Sequence, residues 1–310
     1  MALPLQLTLF ELRTLLGGEL EVWGNPPAPT LSRLVPYETA EWASLVVLPE
    51  RATPTKISRC RAGVVVGSPL QIQDWQRSRR QLDEPGWFLR VEDTGKALIR
   101  LLDGPCRPSE SDADWLSSEE IVERWGAHAR TASVHRSANI GDGVWVGPGS
   151  VVHPRVTVGA GSRIGDGVVL GAPGFGFVGL DGRATPLPHW AGVVIESDVW
   201  IGPQSQISAG LLEATWIGSG VRIDSLVQIG HNCKVGSGTI LAGQVGLAGS
   251  VVLGSGCLVG GQVGFADHIV LGDDCQVAAR AGVTKSWPSG SRIAGFPAVN
   301  IRDWRRQVVS

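Results

Sequence analysis

In the stretch Ile217-Gly-Ser-Gly-Val-Arg-Ile-Asp-Ser-Leu-Val-Gln-Ile-Gly-His-Asn-Cys-Lys-Val235, an aliphatic residue recurs at every sixth position and is usually followed by a small one. The same period continues to Val283, and earlier runs cover Ile140–Leu170 and Ile195–Ile207. Hexapeptide repetition is typical of a parallel β-helix, in which each repeat forms one short strand and a corner. Three repeats make one coil, so residues 18 apart should stack on neighbouring coils about 4.8 Å apart.

The period sets the predicted domain boundaries. We expect a mainly β fold, with the parallel β-helix at 131–298 and an excursion from it at 172–193. A small α/β domain is expected at 1–103, a linker with a short helix at 104–130, and a short helical tail at 299–310. In each repeat the aliphatic side chain should fill the interior, and the small residue after it should let the backbone turn without a Cβ clash.

The repeat has two irregularities. Residues 172–193 interrupt it, and the run that follows Ile207 restarts four residues out of phase. An interruption of this kind must loop out of the coils, and surface loops often carry function.

The first hundred residues lack the period and are typical of a compact α/β domain. Thr8-Leu-Phe-Glu11 is a capping box that opens a short helix, and Gly17-Gly18 ends that helix. Further runs that favour strands or helices follow at Leu45–Leu48, Gly63–Val66, Trp87–Val91, Gly95–Leu102 and Ser117–Trp125.

Composition and charge exclude several classes of protein. The 310 residues carry a formal net charge of −2, which predicts neither nucleic-acid binding nor membrane-surface binding. The five cysteines contain no C-x-x-C pair, which argues against a disulfide framework or structural zinc and for a reducing cytosol. The chain has no run of about 18 apolar residues and no signal-peptide pattern, so we expect a cytoplasmic protein without an integral membrane segment.

Four motifs along the repeat are specific enough to compare with known families. They are Gly171-Ala-Pro-Gly-Phe-Gly-Phe177, Ile223-Asp-Ser-Leu-Val-Gln-Ile-Gly-His-Asn232, Val263-Gly-Phe-Ala-Asp-His268 and Gly295-Phe-Pro-Ala298. Together they resemble the UDP-3-O-acylglucosamine N-acyltransferases of the lipid A pathway, which are hexapeptide-repeat acyltransferases. The resemblance implies a left-handed β-helix, a homotrimer, and transfer of a 3-hydroxyacyl group from acyl carrier protein to the 2-amine of the sugar. It implies no metal and no cofactor beyond the thioester co-substrate, which is an acyl carrier protein or coenzyme A thioester.

The resemblance also implies site residues. His231 matches the family's catalytic histidine and should be the general base for the amino group, and Gly249 should donate its backbone N–H to the oxyanion. His268 matches a second histidine that helps with the carrier arm or the oxyanion. Gly249 should lie one coil from His231, whereas His268 should lie two coils and one position away, about 10 Å along the axis. The expected substrate-binding residues are Phe175, Asp224, Gln228 and Asn232.

Each of these residues also has a purely structural interpretation. A histidine at a corner is often a hydrogen-bonded surface residue, and Gly249 could be a corner glycine with a purely structural role. Phe175 could line an acyl or sugar pocket or plug the coils, and Asp224 could orient His231 or only occupy a corner. The other histidines form no constellation and are expected at the surface: His128, His135, His153 and His189.

The chain departs from the family at several functional positions. An acidic residue is replaced by Pro173, an Asp-Arg-Gly segment reads Ser208-Ala-Gly210, and an Asn reads Ser225. The N-terminal stretch that supplies uridine contacts reads Val47-Leu-Pro-Glu-Arg-Ala-Thr53 and lacks the family's aromatic, Asn and Tyr residues. We therefore expect altered uridine recognition. The long C-terminal helices that hold the carrier in many members are barely present.

Other functions stay open beside this one. The chain could be a coenzyme A-dependent acyl- or acetyltransferase that acts on a different amine. It could also be a catalytically inactive trimeric scaffold, because the chain keeps the family's catalytic histidine but lacks several residues that contact the substrate. A β-helical carbonic anhydrase needs three histidines on zinc, and no pair among the six histidines has suitable spacing.

Overall fold

The computed structural model describes most of the chain, namely residues 3–23, 29, 31–41, 43–49, 52–82, 86–107, 114–180 and 182–309. The chain divides into two compact units, one within residues 1–109 and 176–190 and the other within 110–175 and 191–310. Parts of the predicted features lie outside the described residues: linker positions 108–113, Glu50 and Arg51 of the stretch compared with uridine contacts, and Ser310 of the tail.

The first unit is built on a mixed β-sheet whose central strands are parallel. Its strands are β1 (Leu3–Leu7), β2 (Glu19–Trp23), β3 (Leu31–Leu34), β4 (Ser44–Val47), β5 (Val64–Gly67) and β6 (Gly86–Arg90). Their order is β1-β3-β4-β5-β6-β2, with β3 to β6 parallel and both edge strands antiparallel to their neighbours. β4 and β5 are buried at every position, as is usual for parallel strands inside a sheet. The predicted strands near Leu45, Gly63 and Trp87 are confirmed.

Helices accompany this sheet at α1 (Leu9–Leu16), α2 (Pro54–Ile57), α3 (Pro69–Leu82) and α4 (Thr94–Asp103), with a 3₁₀ turn at Tyr37–Thr39. The predicted capping box opens α1: Glu11 N–H donates to Thr8 Oγ1 (3.2 Å), and Thr8 N–H donates to the Glu11 carboxylate (2.8 Å). In the core of the unit, Trp75 of α3 meets Phe88 of β6 edge to face, with ring centroids 5.8 Å apart.

The excursion that interrupts the repeat forms a β-hairpin that belongs to the first unit. Its strands, β14 (Phe177–Leu180) and β15 (Arg183–Pro186), pair antiparallel. Beyond β15, the indole N–H of Trp190 donates to the carbonyl of Leu102 in α4, 3.0 Å away. The excursion is therefore tied to α4 by a specific hydrogen bond.

The second unit is a left-handed parallel β-helix, preceded by α5 (Ser118–Trp125) and a 3₁₀ turn (Ala127–Ala129). Its strands stack into parallel faces. The first face contains β7 (Ser133–Val134), β10 (Val151–Val152), β13 (Val169–Leu170), β18 (Gln206–Ile207), β21 (Gln228–Ile229), β24 (Gly246–Leu247), β27 (Gly264–Phe265) and β30 (Gly282–Val283). The second contains β8 (Asn139–Ile140), β11 (Val156–Val158), β16 (Val193–Ile195), β19 (Thr215–Ile217), β22 (Lys234–Val235), β25 (Val252–Leu253) and β28 (Val270–Leu271). The third contains β9 (Trp145–Val146), β12 (Arg163–Ile164), β17 (Trp200–Ile201), β20 (Arg222–Ile223), β23 (Ile240–Leu241), β26 (Leu258–Val259), β29 (Gln276–Val277) and β31 (Arg292–Ala294), and β32 (Val299–Asn300) pairs antiparallel with β31 at its edge.

The repeated aliphatic residues fill the interior of the coils, as the period predicts. Ile229 and Leu247 stack on successive coils of the first face and are at most 2% exposed. Uninterrupted coils pair residues 18 apart, such as Gln228 with Gly246. Gln206 instead pairs with Gln228, 22 residues further on, which confirms the predicted four-residue phase shift.

The small residue after each aliphatic one is needed for a different reason from the one expected. Gly230 does not adopt a positive φ, but a Cβ on it would lie 2.8 Å from the backbone of Ala248 on the next coil. The left-handed conformation occurs two residues later, where Asn232 and Ser250 have φ values of 59° and 61°. At Gly230, the close approach of the stacked coils, rather than the turn itself, therefore requires glycine.

Two histidines that were expected at the surface are buried. The Nδ1 of His135 lies 2.8 Å from the hydroxyl of Ser137 and accepts the Ser137 backbone N–H, and its ring meets Trp115 edge to face. His189, in the first unit, packs against Gly176, where an added Cβ would lie 3.1 Å from the imidazole. Both expectations were wrong because local sequence does not show these packing partners.

The burial of the cysteines predicts that their thiols react slowly in the native protein. All five are free and buried: Cys60, Cys106, Cys233, Cys257 and Cys275. Burial raises the pKa of Cys233 to about 12 and that of Cys106 to about 11, so neither thiol is ionised near neutral pH. We expect the native protein to resist alkylation by iodoacetamide at pH 8, and the unfolded protein to be alkylated at all five cysteines. Mass spectrometry before and after denaturation measures this, and fast labelling of native Cys233 would contradict the burial.

The last helix that the structure describes is α6 (Ile301–Val309), which lies within the predicted helical tail at 299–310. Trp304 packs over Gly295, where an added Cβ would lie 2.7 Å from the indole ring. In the part of the chain that the structure describes, no helix is long and apolar enough to cross a membrane.

Candidate active site

The three residues that the resemblance assigns to catalysis lie on successive coils at one edge of the β-helix. His231 follows β21, Gly249 follows β24 and His268 follows β27, where the first face turns toward the second. Backbone hydrogen bonds join these coils: Ser250 N–H donates to the His231 carbonyl (2.8 Å), and His268 N–H donates to the Gly249 carbonyl (3.1 Å). We call this set of corners (residues 230–233, 248–251 and 266–269) the His231 edge.

The imidazole of His231 lies directly against the backbone of Gly249. A Cβ added to Gly249 would lie 2.5 Å from Nε2 of His231 and 2.7 Å from Cε1, closer than any side chain could be. Glycine at position 249 therefore makes room for the ring. His231 is half-buried, and its Nε2 lies beside the backbone of Gly249.

The backbone N–H of Gly249 is available to a ligand. Among the described residues, no acceptor takes this N–H, whereas the neighbouring Ala248 and Ser250 donate theirs to Phe265 and His231. A donor next to Nε2 of His231 is suited to a carbonyl oxygen that becomes negatively charged while the histidine removes a proton.

The other nitrogen of His231 is held by the next residue in the chain. Nδ1 lies 3.0 Å from Oδ1 of Asn232. The other candidate for this role, Asp224, follows β20 at a different corner, and its carboxylate accepts the backbone N–H of Ser225 (2.7 Å). The partner found at Nδ1 is therefore an amide rather than the carboxylate of Asp224.

The remaining predicted residues occupy less enclosed positions. His268 is exposed, two coils from His231 along the same edge. Gln228 is exposed at the start of the strand that leads to His231, and its amide lies 3.4 Å from the hydroxyl of Ser208. Phe175 follows β13, and its ring is 88% exposed, so it does not plug the coils.

Comparisons with known proteins show similarity to acyltransferases. A family model described as "Bacterial transferase hexapeptide (six repeats)" matches residues 137–172 and 214–249. A UDP-3-O-acylglucosamine N-acyltransferase of Leptothrix cholodnii is 29% identical over 264 residues, which cover 74% of this chain and 71% of that protein. UDP-3-O-acylglucosamine N-acyltransferase 2 of Legionella pneumophila is 47% identical over 159 residues, which cover 51% of this chain and 45% of that protein. The chain thus carries the bacterial transferase hexapeptide repeat and is similar to UDP-3-O-acylglucosamine N-acyltransferases.

A solved structure extends the likeness to three dimensions. The UDP-N-acetylglucosamine acyltransferase from Campylobacter jejuni matches with a TM-score of 0.50 at 25% identity, covering 55% of this chain and 65% of that chain. The family match lies in the β-helix, and the chain spans less than half the length of the Legionella relative. The fold is therefore shared, while the substrates have to be argued from the site.

Two departures from the family pattern lie close to His231 in the fold. Ser208, at the start of the altered Asp-Arg-Gly segment, is buried, and its carbonyl accepts the hydroxyl of Thr215 (2.7 Å). Ala209 is also buried, and its N–H donates to the carbonyl of Ala172 (2.8 Å). An arginine in place of Ala209 would have no room there, so this segment shapes the corner instead of presenting a charge.

Proposed function

We propose that the chain is an N-acyltransferase that moves a 3-hydroxyacyl group from acyl carrier protein to the 2-amine of UDP-3-O-acylglucosamine or a similar amino sugar. Similarity to relatives that are named acyltransferases supports this reaction class. The observation that carries it is the contact between Nε2 of His231 and the backbone of Gly249. A base and an oxyanion donor side by side are what acyl transfer to an amine requires.

The reaction follows from these two groups. The amine nitrogen attacks the thioester carbonyl carbon while Nε2 of His231 takes the ammonium proton, and a C–N bond forms. The carbonyl oxygen becomes an oxyanion that accepts the N–H of Gly249. The C–S bond then breaks, and the leaving thiolate takes the proton from the imidazolium. The base contributes about 10²–10⁴-fold in rate, and one oxyanion donor contributes about 10²–10³-fold.

A shallow groove on the first face is suited to the acyl chain. It has a volume of about 450 Å³, and its floor is formed by Gly264 and Gly282, which have no side chains. Ala266, at the His231 edge, and Phe296, whose ring covers Gly282, supply apolar walls. Since apolar contact is the main attraction available to a hydrocarbon chain, we assign the acyl group to this groove.

A homotrimer completes the site in this proposal. Exposed apolar side chains lie on the outside of the coils, where Ile240, Leu258, Val270 and Leu226 are 45–49% exposed. Ile240 and Leu258 are neighbours on adjacent coils of the third face. We assign this stacked apolar pair to the surface that another subunit covers, because contiguous exposed apolar surface marks protein–protein contacts. Light scattering should give three times the 32.8 kDa of one chain, and a monomer would contradict the proposal.

The compartment is part of the same proposal. Free, buried cysteines fit a reducing environment. We therefore place the protein in the cytoplasm, where it would meet a thioester donor. Fractionation of cells with an antibody against the native protein tests this placement.

The test of the reaction is acyl transfer followed by mass spectrometry. The donors are 3-hydroxyacyl carrier protein and the matching acyl-coenzyme A, and the acceptors are UDP-3-O-acylglucosamine and the same sugar without the uridine diphosphate. We expect an amide product with the carrier-protein donor. Because Val47–Thr53 lacks the family's uridine-contacting residue types, we expect removal of the nucleotide to raise KM by less than about tenfold, or 1.4 kcal/mol.

The outcomes separate the alternatives. Product with coenzyme A alone would favour a coenzyme A-dependent transferase. A folded trimer that gives no product with any pair would favour the scaffold, and binding of a donor without turnover would then show as a rise in melting temperature.

A further inference from the structure

The four-residue phase shift after Ile207 builds a loop whose backbone holds the neighbour of His231. We call residues 208–214, between β18 and β19, the insertion loop. Leu211 N–H donates to Oδ1 of Asn232 (3.0 Å), and Nδ2 of Asn232 donates to the carbonyl of Glu213 (3.0 Å). The loop therefore supplies one donor and one acceptor to a single side-chain amide.

These two contacts fix which way the amide points. A backbone N–H can only donate and a backbone carbonyl can only accept, so Oδ1 must face Leu211 and Nδ2 must face Glu213. The backbone of Asn232 is held as well, since its N–H donates to Oγ1 of Thr215 (2.9 Å). The side-chain amide of Asn232 cannot flip by 180° without losing its hydrogen bonds to both Leu211 and Glu213.

The fixed amide decides the tautomer of His231. Oδ1 of Asn232 lies 3.0 Å from Nδ1 of His231 and can only accept, so Nδ1 carries the hydrogen. In the neutral imidazole Nε2 is then unprotonated, and Nε2 is the nitrogen that lies against Gly249. The unprotonated nitrogen thus lies where the acyl carbonyl is proposed to bind.

We propose that Asn232 is a positioning residue, held by the insertion loop, which keeps His231 in the tautomer that can take a proton at Nε2. Asn232 was expected to bind substrate, but its oxygen is already shared by Leu211 and His231. The catalytic consequence depends on the proposed acyl transfer, whereas the tautomer does not. An amide also orients the ring without adding a charge, so the imidazolium formed in the reaction remains able to return its proton to the leaving thiolate.

The four-residue phase shift makes this hydrogen-bond network possible. A strict 18-residue coil would bring the chain from β18 to β19 without the extra residues that carry the Leu211 N–H and the Glu213 carbonyl to Asn232. An ion pair between Glu213 and Lys234 (3.6 Å) adds a further contact between the loop and β22. In this proposal the insertion loop acts by holding Asn232 and does not bind the substrate itself.

The test replaces Asn232 with glycine. Because Asn232 has a φ of 59°, Asn232→Gly removes the amide without straining the backbone. The matched control is Gln204→Gly, since Gln204 is an exposed corner residue with a φ of 58°. ¹⁵N NMR of histidine-labelled protein reports the tautomer of His231, and kinetics with the carrier-protein donor report kcat and KM.

In the wild type and in Gln204→Gly we expect His231 to show Nδ1 protonated and Nε2 unprotonated. Asn232→Gly should populate both tautomers and lower kcat by about 10–100-fold, with KM changed less than about threefold. Asn232→Asp keeps an acceptor next to Nδ1, so it should retain the tautomer and recover part of kcat.

Each outcome decides one proposal. A wild-type His231 protonated at Nε2, or a tautomer unchanged in Asn232→Gly, would overturn the positioning role whatever the activity. A wild type that has the expected tautomer but transfers no acyl group would contradict the proposed function and leave the positioning role supported.

Discussion

Replacing His231 with alanine should lower the rate of acyl transfer by about 10²–10⁴-fold. The substitution removes Nε2, the nitrogen that lies against Gly249, and leaves the amine without a base in the site. The loss should appear in kcat, with the KM values of donor and acceptor nearly unchanged, because the imidazole acts on the reacting proton rather than on bound substrate. Steady-state kinetics monitored by mass spectrometry measure both constants.

The fold should survive this substitution. His231 is only half-buried, so a cavity cost like that of a core residue does not apply. His128→Ala is the matched control, since this exposed histidine stacks on Trp145, far along the coils, and touches none of the His231 edge. Equal activity in His231→Ala and the wild type would remove His231 as the base, and an equal loss in His128→Ala would point to misfolding.

The hexapeptide period predicted the β-helix well because it is a physical requirement of every coil. An interior position such as Ile229 must be apolar, since each coil covers the one before it. The phase shift after Ile207 could also be seen in the sequence. What the period could not show was which atoms the shifted loop presents, because Leu211 and Glu213 act through their backbones.

The candidate site was predictable only where a side chain is the active group. His231 is recognisable from its motif. By contrast, the role of Asn232 depends on the direction of one amide, which is fixed by hydrogen bonds 19 and 21 residues away in the chain. The burial of His135 and His189 likewise depends on partners that contact them only after folding. Sequence patterns report periodic burial, and such contacts are not periodic.

Gly249→Ala should lower kcat by about 10²-fold with only a small effect on folding. The new methyl group would lie 2.5 Å from Nε2, so the imidazole has to move by about an ångström. A displacement of this size costs about 10²-fold when it separates a base from its proton. Gly246→Ala is the matched control, because a Cβ at Gly246 meets nothing within 4 Å and the residue lies in the strand that leads to Gly249. Full activity in Gly249→Ala would show that the ring and the acyl carbonyl do not meet at this glycine.

A double-variant cycle separates this contact from a general intolerance of alanine at the corner. In Gly249→Ala with His231 present, the ring either collides with the new methyl group or leaves Oδ1 of Asn232, and loss of that hydrogen bond costs about 1 kcal/mol. In a His231→Ala background the methyl group meets no imidazole, so Gly249→Ala should lower the melting temperature by less than it does alone. Thermal unfolding of the four proteins measures this coupling. An equal shift in both backgrounds would contradict the contact between His231 and Gly249, and with it the arrangement of base and oxyanion donor on which the proposed reaction depends.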